Sequence, residues 1–155
     1  MPASFKTHAS SYRDPSGFIF KKEEVLYRQV NKIFKDDFDY FINSGCYQSF
    51  AEKGWLIPHE TIPENLTNTD DWYLTLKPAN IPFISYPYEW SFDMLKDAAV
   101  LTLNLLKESL QYGLILKDAT PYNIQFLGSR PVFIDTLSFE KYEEQEPWIA
   151  YRQFC

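Results

Sequence analysis

The sequence is poor in the residues from which most small metal centres and disulfide scaffolds are built. Only Cys46 and Cys155, and only His8 and His59, occur among 155 residues. They make no CxxC pair and leave too few ligands for an ordinary zinc site, so neither a disulfide framework nor a structural zinc organises this chain. Glycine is scarce, five residues against ten prolines, and no GxGxxG occurs. A glycine-rich phosphate cradle is therefore missing. No uninterrupted apolar run approaches membrane-spanning length, since residues 98–101 are followed by Thr102, and the first twenty residues lack the apolar stretch of a secretory signal. Basic excess is lacking too: 15 Lys and Arg face 21 Asp and Glu, a formal charge of −6. Scattered cations in an acidic chain disfavour nucleic acid as the main ligand. The expectation is a cytoplasmic protein with reduced thiols and no membrane partner.

What the chain has in quantity is aromatic carbon, 18% of its residues. A globular chain of this length buries roughly 68–70% of the surface its unfolded form exposes, so a full core is within reach. A flexible polar arm is expected over 1–12, and one domain over 13–155. Arg13-Asp14-Pro15-Ser16-Gly17 supplies turn chemistry. Phe18-Ile19-Phe20 and Val25-Leu26-Tyr27-Arg28-Gln29-Val30 read as a hairpin around a four-residue loop, Lys21-Lys22-Glu23-Glu24. Helical spacing of Ile33, Phe34, Phe38, Phe41 and Ile42, broken at Ser44-Gly45 and resumed from Cys46 to Lys53, predicts helix, break, helix. Residues 55–58 form an extended exit, and 63–71 a polar, turn-rich loop. The sequon Asn65-Leu66-Thr67 is read as an accidental match. Strands are predicted over 72–76 and 81–87. Ser91 is placed as the N-cap of a long, mostly buried helix that stops at Gly113. Three short apolar runs follow, 114–116, 124–126 and 132–134.

Chemistry concentrates in Leu116-Lys117-Asp118-Ala119-Thr120-Pro121-Tyr122-Asn123 and in Phe133-Ile134-Asp135-Thr136. Asp118 precedes Asn123 by five positions, and Asp135 ends the following hairpin. A carboxylate beside a hydroxyl orients it or accepts its proton. An amide oxygen with a second carboxylate is the hard donor set that Mg²⁺ takes near nucleotide phosphates. Asp and Asn also occupy turns because they cap nearby backbone groups, and that structural reading stands beside the functional one.

The Asp-x-x-x-x-Asn loop after a long helix, with a hairpin leading to a second Asp, resembles the protein-kinase-like and aminoglycoside-phosphotransferase-like fold. The resemblance implies an α+β, partial kinase-like architecture: a small antiparallel N-lobe sheet with helices over 13–87, then the helix, catalytic-loop segment and hairpin over 88–155. It implies Asp118 as the catalytic residue, Asn123 and Asp135 as Mg²⁺ ligands, ATP as cofactor, and Arg28 with Lys117 as its phosphate contacts. The sequence departs from that pattern: Leu116-Lys117 precedes the loop aspartate, no glycine follows Asp135-Thr136-Leu137, and most of a C-lobe is missing. An arginine at position 28 is a planar fork, not the point charge of a lysine. These departures imply a degenerate or incomplete enzyme.

A second resemblance runs nearly the whole chain. Arg13 to Phe18, Tyr27-Arg28-Gln29-Val30, Leu116 to Asn123 and Phe133 to Thr136 are similar to the N-terminal module of bacterial nodulation-protein-like SAM-dependent methyltransferases. It implies a methyltransferase domain or protein partner elsewhere, because these 155 residues hold no strand followed by a glycine-rich SAM loop. The alternatives are a catalytically silent interaction or scaffold domain, and a small-molecule phosphotransferase.

Overall fold

The computed structural model describes residues 6–7 and 14–155. The chain is mixed α+β, with a small antiparallel sheet and, among the described residues, four α-helices. Its residues gather into two compact units. The first takes the chain up to Asp36 together with Pro58–Ala79, the second Asp37–Ile57 together with Asn80–Cys155. The parts 13–87 and 88–155 cut across these units, because 37–57 and 80–87 belong to the second. No described helix is long and apolar enough to cross a membrane.

The first unit is one antiparallel sheet of order β1-β2-β3-β5-β4, built from Lys6–Thr7, Gly17–Lys22, Val25–Asn31, Trp72–Pro78 and His59–Ile62. Lys6 and Thr7 pair with Lys21 and Phe20, so this part of the expected arm is a strand; the rest of 1–12 lies outside the described residues. The β2–β3 loop is shorter than expected. Lys21 and Lys22 are still paired, and only Glu23 and Glu24 turn, at φ 51° and 63°. Two consecutive left-handed residues give the twist a two-residue hairpin needs, at a steric cost that non-glycine residues bear. Strand β4 is absent from the sequence reading, since His-Glu-Thr-Ile is too short and polar to signal itself. It is added at the edge by pairing with β5.

Phe20, Val30 and Leu76 fill the buried face of the sheet. Beside them sits a polar network. The fully buried Gln29 donates through Nε2 to Asn31 Oδ1 and Thr69 Oγ1, both at 2.8 Å, and accepts from Thr67 Oγ1. Thr75 Oγ1 donates to Glu64 O at 2.8 Å, and Asn65 Nδ2 to Thr69 O at 3.0 Å. The turn-rich 63–71 loop thus has its backbone and hydroxyls satisfied by side chains, which holds it without regular structure. Asn65 of the sequon belongs to this network.

The second unit is organised by aromatic rings. Phe139 stacks on Phe41 at 4.8 Å between centroids and meets Phe50 at 5.5 Å and Phe133 at 5.8 Å. Phe41 lies on α1 (Lys35–Asn43) and Phe50 on α2 (Cys46–Glu52), with Gly45 turning between them at φ 88°. Glu108 of α3 (Phe92–Gln111) accepts from Ser49 Oγ at 2.6 Å and forms a bidentate ion pair with Lys53, holding α2 to α3. Ser91 caps α3, its Oγ accepting from Met94 N. At the other end Gly113 has φ 74°, and a Cβ there would stand 2.9 Å from the Tyr40 hydroxyl, which donates to Tyr112 O. Both constraints select glycine.

Two expectations fail in this unit. Residues 81–87 form no strand. Pro82 and Pro87 remove donors, and the buried Gln125 instead clamps Ser85, Oε1 accepting from Ser85 N at 2.9 Å and Nε2 donating to Ser85 O at 3.0 Å. Nor is α3 mostly buried. Ala98, Leu101, Thr102, Leu105 and Ser109 face the core, whereas Phe92, Leu95, Val100, Leu103 and Leu110 are exposed. One apolar stripe finds a partner and the other does not, which composition alone does not distinguish.

Replacing Gln29 by Leu removes three hydrogen bonds, to Asn31, Thr69 and Thr67, from the centre of the network, and should destabilise the chain by about 2–4 kcal/mol in urea unfolding. His59 supplies a pH test. Burial pulls its imidazole down to about 4 from an ordinary 6.5. The unfolded chain then binds the extra proton first, so stability should fall as pH drops from about 6.5 towards 4, and a His59→Gln variant should lose that part of the slope.

Candidate functional site

The segment 117–123 is a loop closed at both ends by the segment 134–139. Strand β6 (Leu114–Leu116) pairs with β9 (Phe139–Lys141), with Leu116 opposite Phe139, and Lys117 N donates to Ser138 O at 2.8 Å. Strand β7 (Ile124–Leu127) pairs with β8 (Arg130–Phe133), and just beyond it Ile134 N donates to Asn123 O at 2.8 Å. The two ladders therefore bring the Asp118–Asn123 loop and the Asp135 turn into one frame. β8 is fixed in turn by the exit strand of α2: Phe133 N donates to Trp55 O and Ile57 N to Phe133 O.

The three side chains differ in how far the frame uses them. Asp118 Oδ1 accepts from Thr120 N at 3.2 Å, an Asx turn that leaves Oδ2 without a hydrogen bond among the described residues. Asn123 is the least committed. Its Nδ2 is buried without a partner, and its carboxamide makes no hydrogen bond among the described residues. Asp135 is the most committed, with Oδ1 accepting from Leu137 N at 3.2 Å and Oδ2 from Ser138 Oγ at 2.7 Å, so that it caps the short turn Thr136–Ser138. Among the described residues no three His, Cys, Asp or Glu side chains gather as a metal site, so any cation here would rest on two carboxylates and one amide. That oxygen set fits Mg²⁺, which is held by one or two carboxylates beside its waters and phosphates, and it does not fit a transition metal.

Lys117 is half-buried and lies near Glu140, whose carboxyl is pushed above its ordinary range, first by burial and then by Asp37, Glu146 and Glu143, while Lys117 opposes the rise. Arg28 belongs to the first unit. There its Nη2 pairs with Asp14 Oδ2 at 3.4 Å, and Asp14 Oδ1 also accepts from Ser16 N. This links the two N-terminal segments Arg13 to Phe18 and Tyr27 to Val30, a structural use for Arg28 that spacing does not disclose. Glu52 accepts from Gln48 Nε2 on its own helix.

Sequence reasoning passes over Gln153 and Ser138. Gln153 Oε1 accepts from Ala119 N at 2.6 Å, and Trp148 Nε1 donates to Leu116 O at 2.8 Å, so the C-terminal segment props the loop from the side. Trp148 after Pro147 is the one signal of this in the sequence. Tyr122 within the loop is exposed, as are Tyr86 and Tyr88, whose rings stack at 5.5 Å. A groove of about 270 Å³ lined by Lys53, Trp55, Val100 and Arg130 lies at the opposite, turn end of the β7–β8 hairpin and includes none of the predicted site residues.

No protein-family model matches the chain. It is 35% identical over 149 residues to nodulation protein NoeA of Rhizobium meliloti strain 1021, an alignment that covers 95% of this chain and 31% of that protein. The chain thus spans about a third of the length of this curated relative.

The unequal engagement of the two aspartates predicts unequal structural cost. Asp135→Ala removes two acceptors and a turn cap, and should destabilise by about 1–3 kcal/mol. Asp118→Ala should cost under about 1 kcal/mol, because one loop bond is lost at a half-exposed position. Equal losses in paired urea titrations would contradict this assignment.

Proposed function

We propose that the 117–138 frame is the Mg-nucleotide site of a kinase-like module that is incomplete as an enzyme, in a chain related to nodulation proteins. The observation that supports this most is the uncommitted Asn123 carboxamide, held inside a loop pinned at both ends and two residues from the Asp135 turn through the Asn123–Ile134 bond. A buried amide without a partner costs free energy that a ligand would recover. Asn123 and Asp135 would hold the cation, which on binding neutralises phosphate charge. The open Oδ2 of Asp118 would orient an acceptor hydroxyl. Lys117 would offer charge to the phosphates, whereas Arg28 is engaged by Asp14 within the first unit. Should the module be active, the reaction is phosphoryl transfer from ATP to a small molecule. A methyltransferase domain or partner protein enters through the resemblance to nodulation-protein-like methyltransferases and through the greater length of NoeA.

A specific observation favours a second reading, a silent interaction scaffold. Both oxygens of Asp135 already serve the 136–138 turn, which is the arrangement a purely structural aspartate adopts. Calorimetric titration with ATP, with and without Mg²⁺, separates the two. Asp135→Asn keeps the Oδ1 acceptor for Leu137, so it should fold and yet lose metal-dependent binding. Heat in the parent chain that survives in Asp135→Asn removes Asp135 from the site, and no heat under any condition leaves the scaffold.

A further inference from the structure

The outward side of α3 carries an apolar seam of heptad spacing. Phe92, Ala99 and Leu106 recur every seven residues, and so do Lys96, Leu103 and Leu110, four residues after each. Taken as d and a positions, they form the alternating three-four stripe of a coiled-coil seam. Phe92 is 80% exposed, Leu103 56% and Leu110 41%, while Ala99 and Leu106 are half-buried. The stripe lies on a flank of the helix beside Ala98, Leu101, Leu105 and Ser109, which meet the core, and Leu106 at its edge also packs against that core. A 20-residue helix makes it about 30 Å long, more apolar surface than a lone exposed leucine explains.

We propose that this seam pairs antiparallel with α3 of a second copy of the chain. Charge chooses both the occupant and the direction. A parallel pairing would set Lys96 against its own counterpart in the seam. An antiparallel pairing with Ala99 opposite the second copy's Leu103 places Phe92 opposite Leu110 and Lys96 opposite Leu106, so every d residue faces an a residue and the lysine stem covers a leucine. The same register brings Lys107, on one flank, within reach of the second copy's Asp93, twice by symmetry. Within the chain, Asp93, Lys96 and Lys107 are exposed and form no ion pair among the described residues, so these charges are available to a partner. Val100, also exposed, meets its own counterpart at the two-fold axis. One helix pair is a small interface, and the affinity is on the order of micromolar. This inference does not depend on nucleotide binding at 117–138.

Sedimentation equilibrium from about 1 to about 200 μM brackets that affinity. The parent chain should be a dimer at the upper end. Leu103→Glu should be monomeric with an unchanged circular dichroism spectrum and melting curve, since the Leu103 side chain is exposed in the single chain. Lys107→Glu alone sets like charges together at both ends and should weaken the dimer about fivefold or more, and Asp93→Lys added to it should restore parental affinity. A parent that stays monomeric at the highest concentration overturns the proposal. So does a dimer indifferent to Leu103→Glu, or a charge reversal that the second substitution fails to rescue.

Discussion

Phe139 is the residue on which the second unit depends. Its ring sits among Phe41, Phe50 and Phe133, so one side chain ties α1, α2 and β8 together. Its backbone meanwhile pairs with Leu116, the last residue before the Asp118 loop. Close packing leaves such a ring little freedom, and the strand that carries it inherits that rigidity. The loop and the Asp135 turn are held on the same three-residue strand, so core and candidate site are fixed by one set of contacts.

The first unit is governed differently. Its sheet closes over a polar network centred on Gln29, where the donors and acceptors of the 63–71 loop find one another. A satisfied buried network specifies one arrangement of its loop more sharply than an apolar patch would, because every alternative leaves a polar group orphaned. Asp14 and Arg28 extend the same logic to the turn that opens β2.

Residues with structural employment stand beside residues with chemical potential. Asp14, Arg28 and Gln29, in the two N-terminal segments of the resemblance, are spent on the sheet and its loop. Among the described residues Asp118 and Asn123 retain unspent polar groups, whereas both carboxylate oxygens of Asp135 serve a turn. The balance between scaffold and site rests on that last group.

Local patterns in the sequence determined most of the elements: the capped helix from Ser91 to Gly113, the break at Gly45, and the hairpins at 17–31 and 124–133. Each of these follows from short-range periodicity, capping or turn chemistry, which act over a few residues. Tertiary structure alone decided the rest. The edge strand 59–62 exists because β5 offers it a ladder, and 81–87 is not a strand because Gln125 takes its hydrogen bonds. Likewise α3 buries one apolar stripe and leaves another outside, since an apolar helix carries no mark saying which side the core will meet. Whether a carboxylate is spent or spare is also a matter of partners distant in the chain, and no spacing rule records them.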